Sequence, residues 1–595
     1  MHSRSTIPNA SDARRARRLD LSLTLGALAL CAGYVLAEMR RVGHVGGLPL
    51  DDGWIHLQFA RQLADGAGLA YNPGQWVTGS TAPLWTALLA VLTHLGDALG
   101  AILPGTPALW TVVLTKLFGA GLFALCLPQV RRLGLRLGLP SAWAVCGAVL
   151  VALTPWLLWS ALSAMEIPLF LLLSLLGIRR HLDERSAPPG SPAAAPVSLA
   201  LLAAAVLARP EGYLLLLLAF ADRLVRVERD DGALRVRLAT AGDDVRALVW
   251  GGLLALVVLG PTLLYHQVIG GSILPGTFAV KGSAPRDLWP SAGYLRTASA
   301  VLFRSQPLLL LAALGGLAAW LTARRAAPDD PSDRGDDNGD ARIRSLLPGL
   351  WLLGLPLAYA VLAAPDRPAQ VGNFGRYLFP LLPWVVLFGL RGFAAALPRG
   401  AALLVGGRRL SIAVLGAALL IGVQTVAVVD GAAMYAHTVD DVERSDVAAA
   451  RWLAPRLPAE ALIAVQDIGA LKYFLPNTVL DLAGIVTPEI LPVLFATAPD
   501  LDPSTYWERR LLDFLARPDR RPDYFVVFPN SYPLITSGQV PGFEPVARFP
   551  VPDNRTMAGS ELVIFRTPWL RYPLRELGGH PLREPGPSPA DPPSR

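Results

Sequence analysis

Apolar stretches of about 20 residues follow one another along most of this chain, separated by short clusters of arginine, and the last quarter changes rhythm. The apolar segments run 20–37, 83–102, 108–128, 141–162, 165–178, 197–222, 247–266, 299–322, 345–364, 377–397 and 411–430. A helix rises about 1.5 Å per residue, so most of these segments match a hydrocarbon core about 30 Å thick. Two of them resist a simple crossing. Segment 83–102 carries His94 and Asp97, and counting it would put Arg131, Arg132 and Arg136 outside, against the positive-inside bias. It is expected to lie as a helix in the outer interface. Segment 197–222 contains Ala208-Arg209-Pro210-Glu211-Gly212. There proline removes a backbone donor and two charges would meet lipid, so a re-entrant hairpin of two short helices is expected. Nine crossings remain, with the N-terminus in the cytoplasm and everything after about 431 outside. Arg14, Arg15, Arg17 and Arg18 precede the first segment, which lacks a small-residue cleavage site and reads as a retained span.

Beyond 431 the helical period gives way to strand-like runs at Leu462–Val465, Val479–Leu482, Tyr524–Phe528 and Leu562–Phe565. The expected organisation is a basic N-terminus (1–19), an α-helical membrane domain (20–430) with a large first outer loop (38–107), and an α/β extracytoplasmic domain (431–577). The Pro- and Gly-rich tail 578–595 and the Asp-rich stretch 329–340 are expected to be disordered. No internal repeat is visible, which weighs against transporters built from duplicated halves.

Composition sharpens this picture. Of 595 residues, 53% are hydrophobic and 17% charged, against roughly 25% charged in a soluble globular protein. The net charge of +7 comes from arginines at the ends of apolar segments, not from a groove with interleaved aromatics, so nucleic acid is not an expected partner. Cys31, Cys126 and Cys146 all lie inside apolar segments and form neither a disulfide framework nor a zinc site.

Candidate chemistry concentrates after the first span, in Leu48-Pro49-Leu50-Asp51-Asp52-Gly53-Trp54-Ile55-His56. Asp51 and Asp52 stand where a helix begins, and a carboxylate there is stabilised by unpaired backbone donors. One carboxylate suffices for capping. At a membrane surface a pair can deprotonate a hydroxyl or hold a divalent cation such as Mg, Mn or Ca. Arg209 and Glu211 read equally as a buried structural pair and as functional groups. Lys281 and Arg376 suit either interfacial anchoring or contact with an anion.

Several motifs, taken in order, resemble the GT-C superfamily of membrane glycosyltransferases. The Asp51-Asp52 pair, Asn72-Pro73-Gly74 and the run from Thr78-Gly79 to Leu84-Trp85 carry the resemblance first. Ser163-Ala164-Met165-Glu166-Ile167-Pro168-Leu169-Phe170 is similar to the family's Gly-Met-Glu-Thr-x-Leu-Phe run, and Ala208 to Gly212 to its Arg-Pro-Glu-Gly element. Tyr265 and Leu274-Pro275-Gly276-Thr277-Phe278 through Lys281-Gly282 resemble its Leu-Pro-Asn-Thr-x-x-x-Lys loop. Gly375-Arg376-Tyr377-Leu378-Phe379-Pro380 resembles the Arg-Tyr-x-x-Pro opening of a late span, and Asp467 to Ala470 and Asp481 to Ile485 resemble the C-terminal domain. Among named kin, bacterial arabinofuranosyltransferase-like proteins are the most similar. Gly276 stands where that loop usually has Asn, and Gln58 where kin often have Arg.

The resemblance implies a GT-C-like enzyme of a bacterial inner membrane, moving sugar from a polyprenyl-phosphate donor to an extracytoplasmic glycan, lipid or protein. It implies Asp51 as first choice of general base with Asp52 as partner or metal ligand, and Lys281, Arg376 and Tyr377 at the donor phosphate. His56, Glu166, Asp467 and Asp481 are candidate substrate contacts. Two rivals stand beside it: a flippase of lipid-linked saccharides, which calls for ionisable residues at midplane, and a non-catalytic membrane assembly protein.

Overall fold

The computed structural model describes residues 10–188, 191–230, 233–238, 242–276, 291–322, 345–362, 375–397, 402–405, 408–494 and 503–576. Lys281 and the segments 329–340 and 578–595 lie outside the described residues.

Helix α1 (Ala10–Val42) leads through a loop into α2 (Asp51–Ala64) and, past an irregular stretch, into α3 (Pro83–Ile102) and α4 (Pro107–Arg136). Next come α5 (Ser141–Ala152), α6 (Pro155–Ala161), α7 (Ile167–Ser186), α8 (Val197–Ala208) and α9 (Glu211–Leu224). A short antiparallel hairpin, β1 (Val225–Asp230) with β2 (Ala233–Leu238), precedes α10 (Gly242–Gly270). The bundle continues with α11 (Ala292–Ser305), α12 (Pro307–Thr322), α13 (Leu347–Leu362) and α14 (Leu382–Ala396), the last entered through a tight helical turn at Arg376–Leu381. A second hairpin, β3 (Ala402–Val405) with β4 (Arg408–Ser411), leads to α15 (Ile412–Val442).

Among the described residues six helices are long and apolar enough to cross a membrane, or eight if each of two bent pairs is one span. That is fewer than the nine crossings the sequence predicts. Helix α13 has only 16 residues, and the second half of α7 carries Arg179, Arg180, Asp183, Glu184 and Arg185. The segment 141–162 breaks at Thr154, where α5 and α6 meet at 59°. The segment 299–322 breaks more sharply, α11 and α12 meeting at 112° around Gln306. The two corners are bonded to each other. Gln306 Nε2 donates to Thr154 Oγ1 at 3.1 Å, and Gln424 Nε2 of α15 donates to Gln306 Oε1 at 3.1 Å and to Ser305 O at 3.1 Å. Backbone groups freed inside a membrane must find protein partners, and Gln424 supplies one to the Ser305 carbonyl.

Ion pairs define two ends of the bundle. At one, Asp20 accepts from Arg131 and Arg132, each at 2.8 Å, Arg136 pairs with Asp183, and His181 meets Asp222 at 2.8 Å. Ser198, at the start of α8, and Arg223, at the end of α9, both bind Glu184 there. The two helices therefore form a hairpin whose tip, Arg209–Glu211, points to the opposite end. At that opposite end Lys116 Nζ lies 2.6 Å from both oxygens of Glu38, and the Tyr435 hydroxyl donates to the same carboxylate at 3.0 Å. Helix α3 qualifies as a span by length and composition. It packs along the first half of α4, with Phe118 stacked on Trp85 and Pro107 against Gly100.

Helix α15 runs through a π turn (Glu443–Val447) and α16 (Ala448–Leu453) into a five-stranded sheet. Strands β5 (Ile463–Val465), β6 (Val479–Asp481), β7 (Tyr524–Val527), β8 (Glu544–Pro550) and β9 (Glu561–Arg566) lie in the order β6-β5-β7-β9-β8. The first three are parallel and the rest antiparallel. The sequence pattern misses β8, an edge strand holding Pro545 and Pro550 whose residues alternate only loosely between exposed and buried. One face of the sheet packs on α18 (Pro503–Leu515) through Leu511 and Phe514. The other takes in Phe59 and Tyr71 of the first loop, so membrane domain and sheet share one apolar cluster.

Candidate active site

A cavity of about 480 Å³ opens where the first loop, the tip of the α8–α9 hairpin, α13 and the Arg376 turn converge. Asp52 and His56 enter it from α2, Glu166 from the start of α7, Arg209 and Glu211 from the hairpin tip, and Arg376 and Tyr377 from the turn before α14. Leu214, Leu355, Leu362 and Leu274 give it an apolar wall. Ala483 and Ile485 of the C-terminal domain complete the rim.

Local sequence explains how these groups are presented. Gly375 has φ +75° and a Cβ there would lie 2.4 Å from Val301, so only glycine fits at the entry to the turn that carries Arg376. Ala164 holds φ 60° without being glycine, a strained conformation pinned by Trp85 Nε1 donating to its carbonyl at 2.9 Å. The bend delivers Glu166 to the cavity.

Inside, charges are paired. Arg376 contacts Asp52 Oδ2 at 2.5 Å. Arg209 forks onto Glu211 at 2.6 and 3.1 Å and reaches Glu166 at 2.5 Å, while the Tyr359 hydroxyl donates to Glu211 at 2.9 Å. His56 Nε2 stands 2.9 Å from Glu166 Oε2. The Tyr377 ring lies beside both guanidinium groups, 5.6 Å from that of Arg209 and 5.5 Å from that of Arg376. Buried ion pairs of this kind are strongly destabilising to break singly, because the remaining partner is left uncompensated.

Asp51 faces away from the cavity. Its carboxylate accepts from Gly469 N at 2.6 Å and Ala470 N at 2.7 Å, capping the short helix α17 (Gly469–Phe474) of the C-terminal domain. Removal from water pushes its carboxyl up to about 7, opposed by the two N–H donors and reinforced by the charges of Asp52 and Asp481. Asp51, the first-choice base, thus bonds α2 to α17, and Asp52 is the acid of the pair that lines the cavity. Asp481 accepts from Ala483 N and Val486 N at 2.8 Å each, so it shapes the loop at the cavity rim rather than entering the cavity. Asp467 follows β5 and does not line the cavity; burial and the charges of Asp51, Asp52 and Asp481 raise its carboxyl well above the usual range.

The paired carboxylates do not fit a shared metal ion. Both oxygens of Asp51 face N–H donors, Asp52 faces a guanidinium, and among the described residues no group of three or more His, Cys, Asp or Glu is arranged to hold one.

Sequence reasoning also missed structural work in the loop. Gln58 donates to Tyr71 O at 3.0 Å, and the Asn72 amide pairs with both backbone groups of Val479 at 2.9 and 3.0 Å, imitating a strand edge against β6. Gly276 N donates to Thr78 O at 3.3 Å, which seats the Leu274–Gly276 stretch on the first loop.

Comparison with known proteins fits this geometry. Residues 433–565 match the family described as "Domain of unknown function (DUF8728)". No curated protein matches the chain. ArnT from Cupriavidus metallidurans in the apo state superposes with TM-score 0.51 at 15% identity, covering 93% of this chain and 98% of that one. The same protein bound to undecaprenyl phosphate gives TM-score 0.51 at 15% identity over 91% and 97%. That solved structure has the GT-C fold. The fold is GT-C-like. At this identity the likeness is one of architecture, and it covers the membrane bundle together with the C-terminal domain.

Proposed function

We propose that the chain is a membrane glycosyltransferase that moves a sugar from a polyprenyl-phosphate donor to an extracytoplasmic glycan, lipid or protein. The observation that carries the reading is the Asp52–Arg376 pair inside a cavity with an apolar wall, on a fold whose solved relative binds undecaprenyl phosphate. An acceptor hydroxyl must lose a proton as its oxygen attacks the anomeric carbon. Simultaneously the bond from that carbon to the phosphate oxygen breaks, and negative charge grows on the phosphate.

Asp52 takes the proton and Arg376, with Tyr377 beside it, faces the phosphate. In the resting site Arg376 neutralises Asp52; an arriving phosphate competes for the guanidinium and releases the carboxylate for base work. Preorganised cations act strongly on charge that develops in a partly dry site. Phosphate leaves readily, so the reaction calls for no general acid, and displacement from the opposite face inverts the anomeric centre. Lys281 is retained as a second contact to the phosphate. The site end of the bundle faces outside a bacterial inner membrane, with the N-terminus in the cytoplasm.

The test is transfer by the purified full chain from a panel of polyprenyl-phosphate sugars, arabinofuranose included, to bacterial envelope acceptors. Asp52→Asn is expected to lower the turnover number by about 10²–10⁴-fold, the usual contribution of a general base. Asp51→Asn is expected to retain more activity. Undiminished transfer by Asp52→Asn would sink the assigned base, and no transfer by wild type from any donor would favour a flippase or an assembly protein.

A further inference from the structure

The cavity contains a second polar centre, one helical turn beyond Asp52 on α2. His56 is 8% exposed and lines the cavity, and its Nδ1 has no hydrogen-bond partner. Its other nitrogen, Nε2, is 2.9 Å from Glu166. Glu166 is in turn tied to Arg209, whose fork onto Glu211 is braced by the Tyr359 hydroxyl. Four side chains from the start of α7, the hairpin tip and α13 thus back one imidazole ring. With Nε2 turned to Glu166, Nδ1 is the ring atom left to meet whatever enters the cavity. A buried ring nitrogen left unpaired forfeits its hydration, so a hydrogen-bonding group arriving in the cavity supplies what that nitrogen lacks.

We infer that His56 is a sugar-binding residue, its Nδ1 hydrogen-bonded to a hydroxyl of the sugar linked to the polyprenyl phosphate. Glu166 and Arg209 are positioning residues that fix the ring's direction. The inference rests on the glycosyl-transfer reading and narrows its substrate class. The sugar carries a free hydroxyl on the side facing α2, and a donor deoxygenated or acylated at that position is discriminated against. Arg376 attends to the phosphate and His56 to the ring, so the two ends of the donor are held by different parts of the cavity.

The test compares wild type with His56→Leu and His56→Asn, using the lipid-linked sugar that wild type transfers and bare undecaprenyl phosphate as a competitor without a sugar. Asparagine places an amide group near the position of Nδ1, whereas leucine fills the space without a hydrogen-bonding atom. His56→Leu is expected to raise KM for the sugar donor by about tenfold, the worth of one hydrogen bond in a closed site. Its inhibition by bare undecaprenyl phosphate stays within about twofold of wild type, which also reports an intact site. His56→Asn recovers most of the loss. Equal damage in both variants, or equal weakening of the bare lipid, overturns the assignment in favour of a packing role. Unchanged KM in His56→Leu overturns it outright. Wild type transferring from no donor brings down the parent reading and this one with it, an outcome distinguishable from the others.

Discussion

Asp51 holds two backbone N–H groups of the C-terminal domain and still keeps its proton up to about 7, because loss of hydration outweighs those donors. An unfolded aspartate titrates near 3.9, so between about 4 and 7 the folded chain binds more protons than the unfolded one. Stability from this group is therefore fully present below about 4 and is lost as pH rises through about 7. Asp467 and Asp481 are raised as well and act with the same sign. The melting temperature of detergent-solubilised protein is expected to fall between pH 5 and pH 8, and Asp51→Asn to make that fall shallower. A melting temperature that climbs over this range, or an unaltered slope in the variant, contradicts the account. At this scale the sequence marks which residues are charged in unusual places, namely Asp51, Asp52, Glu166, Arg209 and Glu211. It does not say which of two adjacent acids faces the cavity, because the deciding partners, Gly469 and Ala470, lie more than 400 positions away.

Between elements, the tightest approach is the crossing of α12 and α14. A Cβ at Gly316 would lie 1.8 Å from Phe388 O, one at Gly392 2.1 Å from Ala312 O, and one at Gly389 2.5 Å from Leu309 O. Lipid chains are as apolar as leucine, so helices in a membrane associate through such close backbone contact. Gly315, one residue away, has nothing within 4 Å of the same construction. Gly316→Leu is expected to lower stability by about 1–3 kcal/mol or more, seen as a lower melting temperature, while Gly315→Leu is tolerated. Because the Arg376 turn runs directly into α14, the damage is expected to extend to donor KM. Similar melting temperatures for the two variants would disprove the crossing. The apolar segments themselves are legible in the sequence, as is the hairpin announced by Arg209-Pro210-Glu211. The bends within 141–162 and 299–322 are less so. Thr154-Pro155 and Gln306-Pro307 are the only local signals, and what stabilises each break is an amide from another helix.

For the molecule as a whole, the arginine-rich end and the site end are separated by the length of α4, from Lys116 beside Glu38 to Arg131 beside Asp20. Charge bias predicts the arginines in the cytoplasm, and the proposed function then requires the cavity and the sheet outside. Sidedness can be read with single cysteines because the native ones are silent: Cys31, Cys126 and Cys146 are 3%, 0% and 8% exposed. Glu460 of the C-terminal domain and Ser141 at the start of α5 are both exposed and lie at opposite ends. In intact cells Glu460→Cys is expected to react with a membrane-impermeant maleimide, and Ser141→Cys only after permeabilisation. The reverse pattern would place the cavity in the cytoplasm, where an extracytoplasmic acceptor cannot reach Asp52. Labelling of both sites in intact cells would mean that the Asp20–Arg131–Arg132 cluster is no cytoplasmic anchor. The donor's lipid anchors it in the bilayer while its sugar sits at one face, so a single glycosyl-transfer site has to face one compartment only. The labelling pattern therefore tests whether the proposed site faces the compartment of its acceptor.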